Sequence, residues 1–326
     1  AANPTLDDFA TEVEAFFASV PEILGKESSK LTRSQTYRAA LADAGLAGVS
    51  YPTEFGGRGL SAEHEAVFQR IATPLQPSEE STFGIGIGMA LPTIRDYGSE
   101  SLKERFLRPG LRGEEIWCQL YSEPGAGSDL AGLTCKAERD GDEWIVTGQK
   151  VWTSYGDKAD WMFCLLRTDS EAKKQMGISL VLFDMETPGV TPKPIKLISG
   201  SSPFCETFLD DVRVEKDQVV GEVNQGWTIA KYLLTHEREM IGGMGMTDAG
   251  AETLGQIALK ALGAEHGRMN NPLLRAEVAK WEIDGACFAL TAERVTDEVK
   301  SGHGVGATSA MLKYYGTELN KRRFES

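Results

Sequence analysis

The chain has 326 residues, 41% apolar, 8% aromatic and 25% charged, enough to bury two or three cores and unlike a disordered, collagenous or disulfide-stapled composition. Its 34 Lys and Arg stand against 48 Asp and Glu, a formal net charge of -14. Non-specific binding to nucleic acid or an anionic membrane would work against that field, and neither is expected as a partner.

Cys118, Cys135, Cys164, Cys205 and Cys287 show no C-x-x-C spacing, and four scattered histidines do not extend them into a zinc site. They read as reduced, mostly buried thiols of an intracellular protein, cytoplasmic in a bacterium or in the mitochondrial matrix of a eukaryote. No run approaches the roughly 18 apolar residues of a membrane span, and the N-terminal AANPTLDDFATEVEAFF is acidic. No intact targeting segment is expected, although a processed one leaves no trace.

From Asp7 to about Glu115 apolar residues recur at helical spacing, as in Phe9, Val13, Phe16 and Phe17, then Tyr37, Leu41 and Leu46, then Val67, Phe68 and Ile71. This predicts an all-helical N-terminal domain. Near Trp117 short runs with period-two alternation take over until about Gly221 and predict a small β-domain. LTCKAE, RDGDE and WIVTGQ form a hairpin with a D-G turn, continued by MFCLLR, ISLVLF and TFLDDVRV. After NQGW the residues Trp227, Ala230, Leu234, Ile241 and Met244 again step at helical intervals, with Asn224 available as an N-cap. Leu274 to Val299 and Thr308 to Arg323 are also helical. The order of helices, β-domain and helices excludes a doubly wound sheet or a TIM barrel.

Ser122 to Asp129, reading SEPGAGSD, is a small-residue loop whose amides an anion or a polar ring edge can approach. An ordinary tight turn is the plain alternative. In Lys150-Val151-Trp152-Thr153-Ser154 the indole and the hydroxyl two residues on share one strand face, so Trp152 can cover a flat heterocycle while Ser154 bonds its edge. The alternative is a tryptophan of the β-domain core. Gly84, Gly86 and Gly88 have no preceding strand, and with Gly242, Gly243 and Gly245 they read as close helix packing rather than phosphate binding. On the third helical segment, the position after Trp227, Ala230 and Leu234 is Glu237. A carboxylate in that stripe is expected to be desolvated, with a raised pKa that suits a base in a dry pocket. Pairing with Arg238 or another cation at the stripe's edge is the alternative.

LRGEEIWCQLYSEPGAGSDLAGL (111 to 133), DEWIVTGQKVWTSYGDKADW (142 to 161), ETFLDDVRV (206 to 214) and THEREMIGG (235 to 243) occur in this order, and the chain from about residue 7 to 326 resembles the acyl-CoA dehydrogenase family. The resemblance implies an α+β multidomain fold: a helical domain at 1–116, a barrel-like or sandwich-like β-domain at 117–222 and a C-terminal helical bundle at 223–326. It implies FAD between the β-domain and the C-terminal helices. Gln119, Tyr121 and Ser122 would line the flavin ring, Trp152 would cover it and Ser154 would meet its N5 edge. Gly127 and Ser128 would serve the loop near flavin and thioester, with Ser128 and Arg238 binding substrate. Leu120 and Tyr121 differ from the commonest residues at their positions.

The implied chemistry is α,β-dehydrogenation of an acyl-CoA, with a base removing the α proton while the β hydride passes to flavin N5 and electrons leave to an electron-transfer flavoprotein. Many members carry the base on a loop near the C-terminus followed by Gly-Thr, and this sequence ends at KRRFES before such a segment, so the final helices are expected to be missing. The long-chain and isovaleryl types place the base on the first helix of the C-terminal domain, where Glu237 of T-H-E-R matches. AEHGRMNNPLLRAEV (264 to 278) stands where homotetrameric members have R-x-x-F-G. It resembles subunits of heteromeric members, some of which handle steroid or dicarboxylic acyl chains, so a homo- or hetero-oligomer is expected. The competing functions are a non-catalytic or partner-dependent subunit and an oxygen-using acyl-CoA oxidase.

Overall fold

The computed structural model describes residues 3–26, 29–77, 82–244, 253–266, 268–301 and 308–325. The chain divides into two compact units, 1–234 and 235–326.

In the first unit α1 (Leu6–Leu24) starts where the Thr5 hydroxyl accepts the Asp8 N–H at 3.2 Å, with Asp7 and Asp8 in the positively polarised first turn. Its buried stripe, Phe9, Val13, Phe17, Val20 and Leu24, packs with Tyr37 and Leu41 of α2 (Lys30–Asp43) and Phe68 and Ala72 of α3 (Ala62–Ala72). Helices α4 (Leu91–Tyr97) and α5 (Glu100–Leu111) complete the helical part.

Eight strands follow: β1 (Trp117–Leu120), β2 (Lys136–Asp140), β3 (Glu143–Ser154), β4 (Trp161–Arg167), β5 (Ile178–Asp184), β6 (Val190–Ile195), β7 (Phe204–Glu215) and β8 (Val219–Val220). They form one sheet in the order β6-β7-β3-β2-β4-β5-β8, with β1 parallel to β4. The expected hairpin is β2–β3, in which Asp140 pairs Glu143 and Gly141 supplies the φ of 62° that the two-residue turn needs. Cys118, Leu120, Val146, Met162, Cys164, Val181, Phe183 and Val212 pack into the core of the sheet. Trp117 and Trp161 instead meet Phe106 of α5 edge-on, with ring centroids 5.1 and 4.6 Å apart. Gly86 begins a π-helical turn, and a Cβ there would lie 2.9 Å from Trp117 Cδ1. The glycine does serve close packing, although the surface it approaches is a strand's tryptophan rather than another helix.

Helix α6 (Gly226–Met244) begins in the first unit and runs into the second. Among its described side chains Gly226, Ile229, Ala230 and Leu233 are buried, whereas Trp227 and Leu234 are half-buried. The stripe is therefore rotated from the expected one, because a Cβ at Gly226 would collide with the Ser179 and Leu180 backbone and so sets the face that packs. Asn224 is not the N-cap. Its φ is 67°, its N–H donates to Ser179 Oγ at 2.8 Å, and its side-chain oxygen accepts the Thr168 hydroxyl at 2.6 Å.

The second unit adds α7 (Leu254–Leu262), the short strands β9 (Ala264–Glu265) and β10 (Arg268–Met269), α8 (Pro272–Lys300) and α9 (Thr308–Glu325). A reciprocal capping box between Thr253 and Gln256 opens α7. Ala258, Met269 and Val278 form a small core. Helices α8 and α9 are joined by the Trp281 indole N–H on the Leu319 carbonyl at 2.8 Å and by stacked Phe288 and Tyr315. Gly242 and Gly243 are helical, Gly245 lies outside the described residues, and so do the side chains of Ile241 and Met244. All five cysteines are free, four of them buried and Cys287 exposed. Among the described residues no helix is long and apolar enough to cross a membrane.

Candidate functional site

The chain leaves β1 into a loop anchored by charge. Glu123 and Ala126 exchange backbone hydrogen bonds at 2.9 and 3.1 Å, closing a tight turn. The Glu123 carboxylate accepts the Thr134 N–H at 2.7 Å, the Thr134 hydroxyl at 2.9 Å and the Cys135 N–H at 2.9 Å. Lys150 Nζ completes it at 2.8 Å and also donates to the carbonyls of Tyr121 at 3.2 Å and Leu165 at 2.7 Å. Burial alone would push the Glu123 carboxyl up, but the Lys150 ammonium and the two amides outweigh it and hold the group below the usual carboxylate range.

The tip of the same loop is open. Gly127 and Ser128 are exposed, and a Cβ added at Gly125 or Gly127 would meet nothing within 4 Å. Neither glycine has a φ in the left-handed region, so neither packing nor backbone conformation within the described chain demands a missing side chain. What the glycines leave is a backbone that another molecule can approach closely.

Beside the loop, β3 carries a bulge. Lys150 pairs Thr207 and Thr153 pairs Cys205, a shift of one residue in the ladder with β7. Lys150 and Thr153 are both fully buried, and the Thr207 hydroxyl donates to Thr153 Oγ1 at 3.2 Å. Between these anchors Val151 donates its N–H to the Ser122 carbonyl at 2.9 Å, which ties the bulge to the loop. Trp152 then sits at φ 63° with 57% of its surface exposed. The core alternative for this tryptophan therefore does not hold, since the bulge turns it outward. A bulky residue at positive φ is an outlier that points to a site. Ser154 is half-buried on the other side of Thr153, and Phe204, opposite Ser154 in the ladder, meets the Trp152 ring edge-on at 6.2 Å.

Gln119 is half-buried and paired opposite Phe163, and the buried Tyr121 ring meets Phe163 edge-on at 5.8 Å. The structure thus brings Gln119, Tyr121, Ser122, Trp152 and Ser154 to the end of β1, the loop root and the end of β3, with Gly127 and Ser128 at the loop tip. Glu237 belongs to the second unit. Its side chain is 22% exposed, with Lys313 Nζ at 3.9 Å. The expected desolvated carboxylate is accordingly a partly solvated one beside Lys313 of α9, and the Arg238 side chain lies outside the described residues.

Sequence reasoning missed Lys150 and Glu123. A signal existed: Lys150 falls on the phase of Trp144 and Val146, both buried in β3. A lysine in the inward phase of a strand needs a carboxylate partner.

Residues 4–114, 118–212 and 224–326 match, in turn, the family profiles of the acyl-CoA dehydrogenase N-terminal, middle and C-terminal domains. Acyl-CoA dehydrogenase IpdE1 of Mycolicibacterium smegmatis is 36% identical over 275 residues, which cover 78% of this chain and 67% of that protein. The chain belongs to the acyl-CoA dehydrogenase family. It is also similar to acyl-CoA dehydrogenase FadE34 of Mycobacterium tuberculosis, at 39% identity over 87% of this chain, and it spans only 38% of that protein's length. Among solved structures, the Tcur3481-Tcur3483 steroid ACAD is 28% identical with a TM-score of 0.77, covering 99% of this chain and 84% of that one. The family is flavin-dependent.

Proposed function

We propose that this acyl-CoA dehydrogenase family member binds FAD and introduces an α,β double bond into an acyl-CoA thioester, within an organisation of three domains at 1–116, 117–222 and 223–326. The observation that carries the reading is Trp152, held outward at φ 63° beside a loop in which a Cβ at Gly125 or Gly127 would meet nothing within 4 Å. These residues fit a flat, polar-edged ring. When bound, the flavin supplies the hydride acceptor. The Trp152 indole would cover the ring and exclude water from it. The Ser154 hydroxyl would hydrogen-bond the ring edge, while Gln119, Tyr121 and Ser122 would line it. Gly127 and Ser128 would bring backbone and hydroxyl donors toward flavin and thioester, and Arg238 is proposed as a substrate contact from its place in T-H-E-R. Glu237 takes the α proton, a role that rests on its place in T-H-E-R.

Electron delivery to an electron-transfer flavoprotein and assembly with a second copy or a related chain belong to the same proposal. Assembly is supported by α8, where Ile283 and Leu290 are 64% and 66% exposed on one face with the exposed Cys287 between them. Similarity to a steroid ACAD puts steroid side-chain thioesters beside fatty acyl-CoAs as candidate substrates.

Anaerobic bleaching of the FAD-loaded protein by a panel of straight-chain and steroid-side-chain acyl-CoAs tests the activity and its class. Glu237→Gln is expected to keep flavin and bleach about 10²–10⁴-fold more slowly. Bleaching at the parental rate would remove Glu237 from the mechanism. Flavin binding without bleaching by any thioester, including after mixing with a partner chain, would replace the enzyme by a non-catalytic subunit.

A further inference from the structure

Trp152 and the glycine loop are presented by different parts of the chain, yet both are rooted in the same buried ion pair. Lys150 has three donors, and the Glu123 carboxylate, the Tyr121 carbonyl and the Leu165 carbonyl take one each. Glu123 in turn holds Thr134 and Cys135, beyond the far end of the SEPGAGSD segment. One ammonium therefore joins the loop's entry, its exit, β3 and β4. It also marks the start of the bulge, since the register slips between Lys150 and Thr153. A residue in a sparsely populated backbone region persists only where its surroundings over-determine it. The determinants of Trp152 are Lys150 before it, Thr153 after it and the Val151 to Ser122 bond beside it.

Such a pair is a poor device for stability as such. Two apolar residues of similar volume in its place would give up little charge-pair energy, because desolvation offsets most of the attraction. What an apolar pair cannot do is bind two carbonyls and two amides at fixed points.

We propose that Lys150 and Glu123 are a positioning pair, which sets Trp152 and the Ser122 to Ser128 loop at the spacing that receives the flat ring of the cofactor. This rests on the flavin reading above. Neither residue touches the ring; each acts through the backbone it holds.

The test uses the full chain with FAD as the titrant, read by two signals. One is the FAD dissociation constant, and the other is the part of tryptophan quenching by flavin that Trp152→Phe removes. Lys150→Met strands a buried carboxylate and is expected to lower both the thermal midpoint and FAD affinity. In Lys150→Met with Glu123→Gln no unpaired charge remains, so the midpoint should return toward the parental value. FAD affinity should stay at least about tenfold weaker, as for one lost well-placed contact, with the Trp152 quenching component gone. Glu123→Gln alone, whose single amide oxygen can still accept from Lys150 and Cys135 while its NH2 group takes the place of the oxygen that held Thr134, is the second variant should the double variant not fold, and it is expected to weaken FAD in the same sense. Parental FAD affinity and quenching in a folded double variant, or in Glu123→Gln, would reduce the pair to a structural role and overturn the proposal alone. A parental protein that binds no FAD would overturn the flavin reading and this proposal with it.

Discussion

Lys150 Nζ lies 2.8 Å from Glu123 Oε1 with both side chains withdrawn from solvent, at 0% and 4% exposure. The pair couples folding to acid. Because the folded Glu123 carboxyl titrates below its usual range, the unfolded chain takes up this proton first as pH falls. Its contribution is complete above the ordinary carboxylate pKa of about 4.3 and disappears as pH drops through that range to the depressed folded value. Urea unfolding across roughly pH 6 to 3 should therefore show a steeper acid-side loss for the parent than for Glu123→Gln. Parallel curves would mean that Glu123 does not carry this proton linkage.

Breaking the pair on one side is expected to be expensive. Lys150→Met leaves a carboxylate that still accepts from Thr134 and Cys135 but has lost its counter-charge, and a loss of about 3–5 kcal/mol in chemical denaturation is expected. The double change with Glu123→Gln should cost clearly less than the single one. If the two effects simply add, the residues are not coupled.

How much of this was legible in the sequence depends on the period of each element. Phe9, Val13 and Phe17 repeat along one helical face and are all buried, as is Val146 in the alternating start of β3, whereas Met162 and Cys164 lie in β4, an apolar run buried on both faces. Burial of this kind follows from local spacing alone. The bulge at Trp152 was not legible, because an extra residue in β3 is defined by its pairing with β7, more than fifty residues away. The α6 stripe was misplaced for a similar reason: the face that packs is fixed by Gly226 against the Ser179 backbone, a contact that the helix's own apolar residues do not announce. The motifs singled out Trp152, Ser154 and the SEPGAGSD loop without any help from periodicity, and the Val151 N–H on the Ser122 carbonyl ties the two segments together.

Two glycines should separate packing from ligand approach. A Cβ at Gly148 would lie 2.8 Å from Cys135 Cα, and the φ of 153° is one that side chains rarely adopt. Gly148→Ala is therefore expected to destabilise by about 1–3 kcal/mol through overpacking. Gly127→Ala meets nothing within 4 Å and should leave unfolding within about 0.5 kcal/mol of the parent, while weakening FAD or acyl-CoA binding. Equal stability losses at both positions would show that Gly127 has a packing role after all.

Trp152→Gly pits strain against recognition. At φ 63° an L-residue carries a backbone penalty of about 1–2 kcal/mol, which glycine relieves at the cost of a more flexible unfolded chain. The side chain is 57% exposed and its ring contact is the edge-on one with Phe204, so little burial is lost. The two contributions nearly cancel, and the unfolding free energy should move by less than about 1 kcal/mol. FAD binding should instead weaken by an order of magnitude or more, roughly the 1–3 kcal/mol of a stacked aromatic contact on a heterocycle. A loss of stability of about 3 kcal/mol with unchanged FAD affinity would return Trp152 to the core, because removal of a packed tryptophan costs about that much.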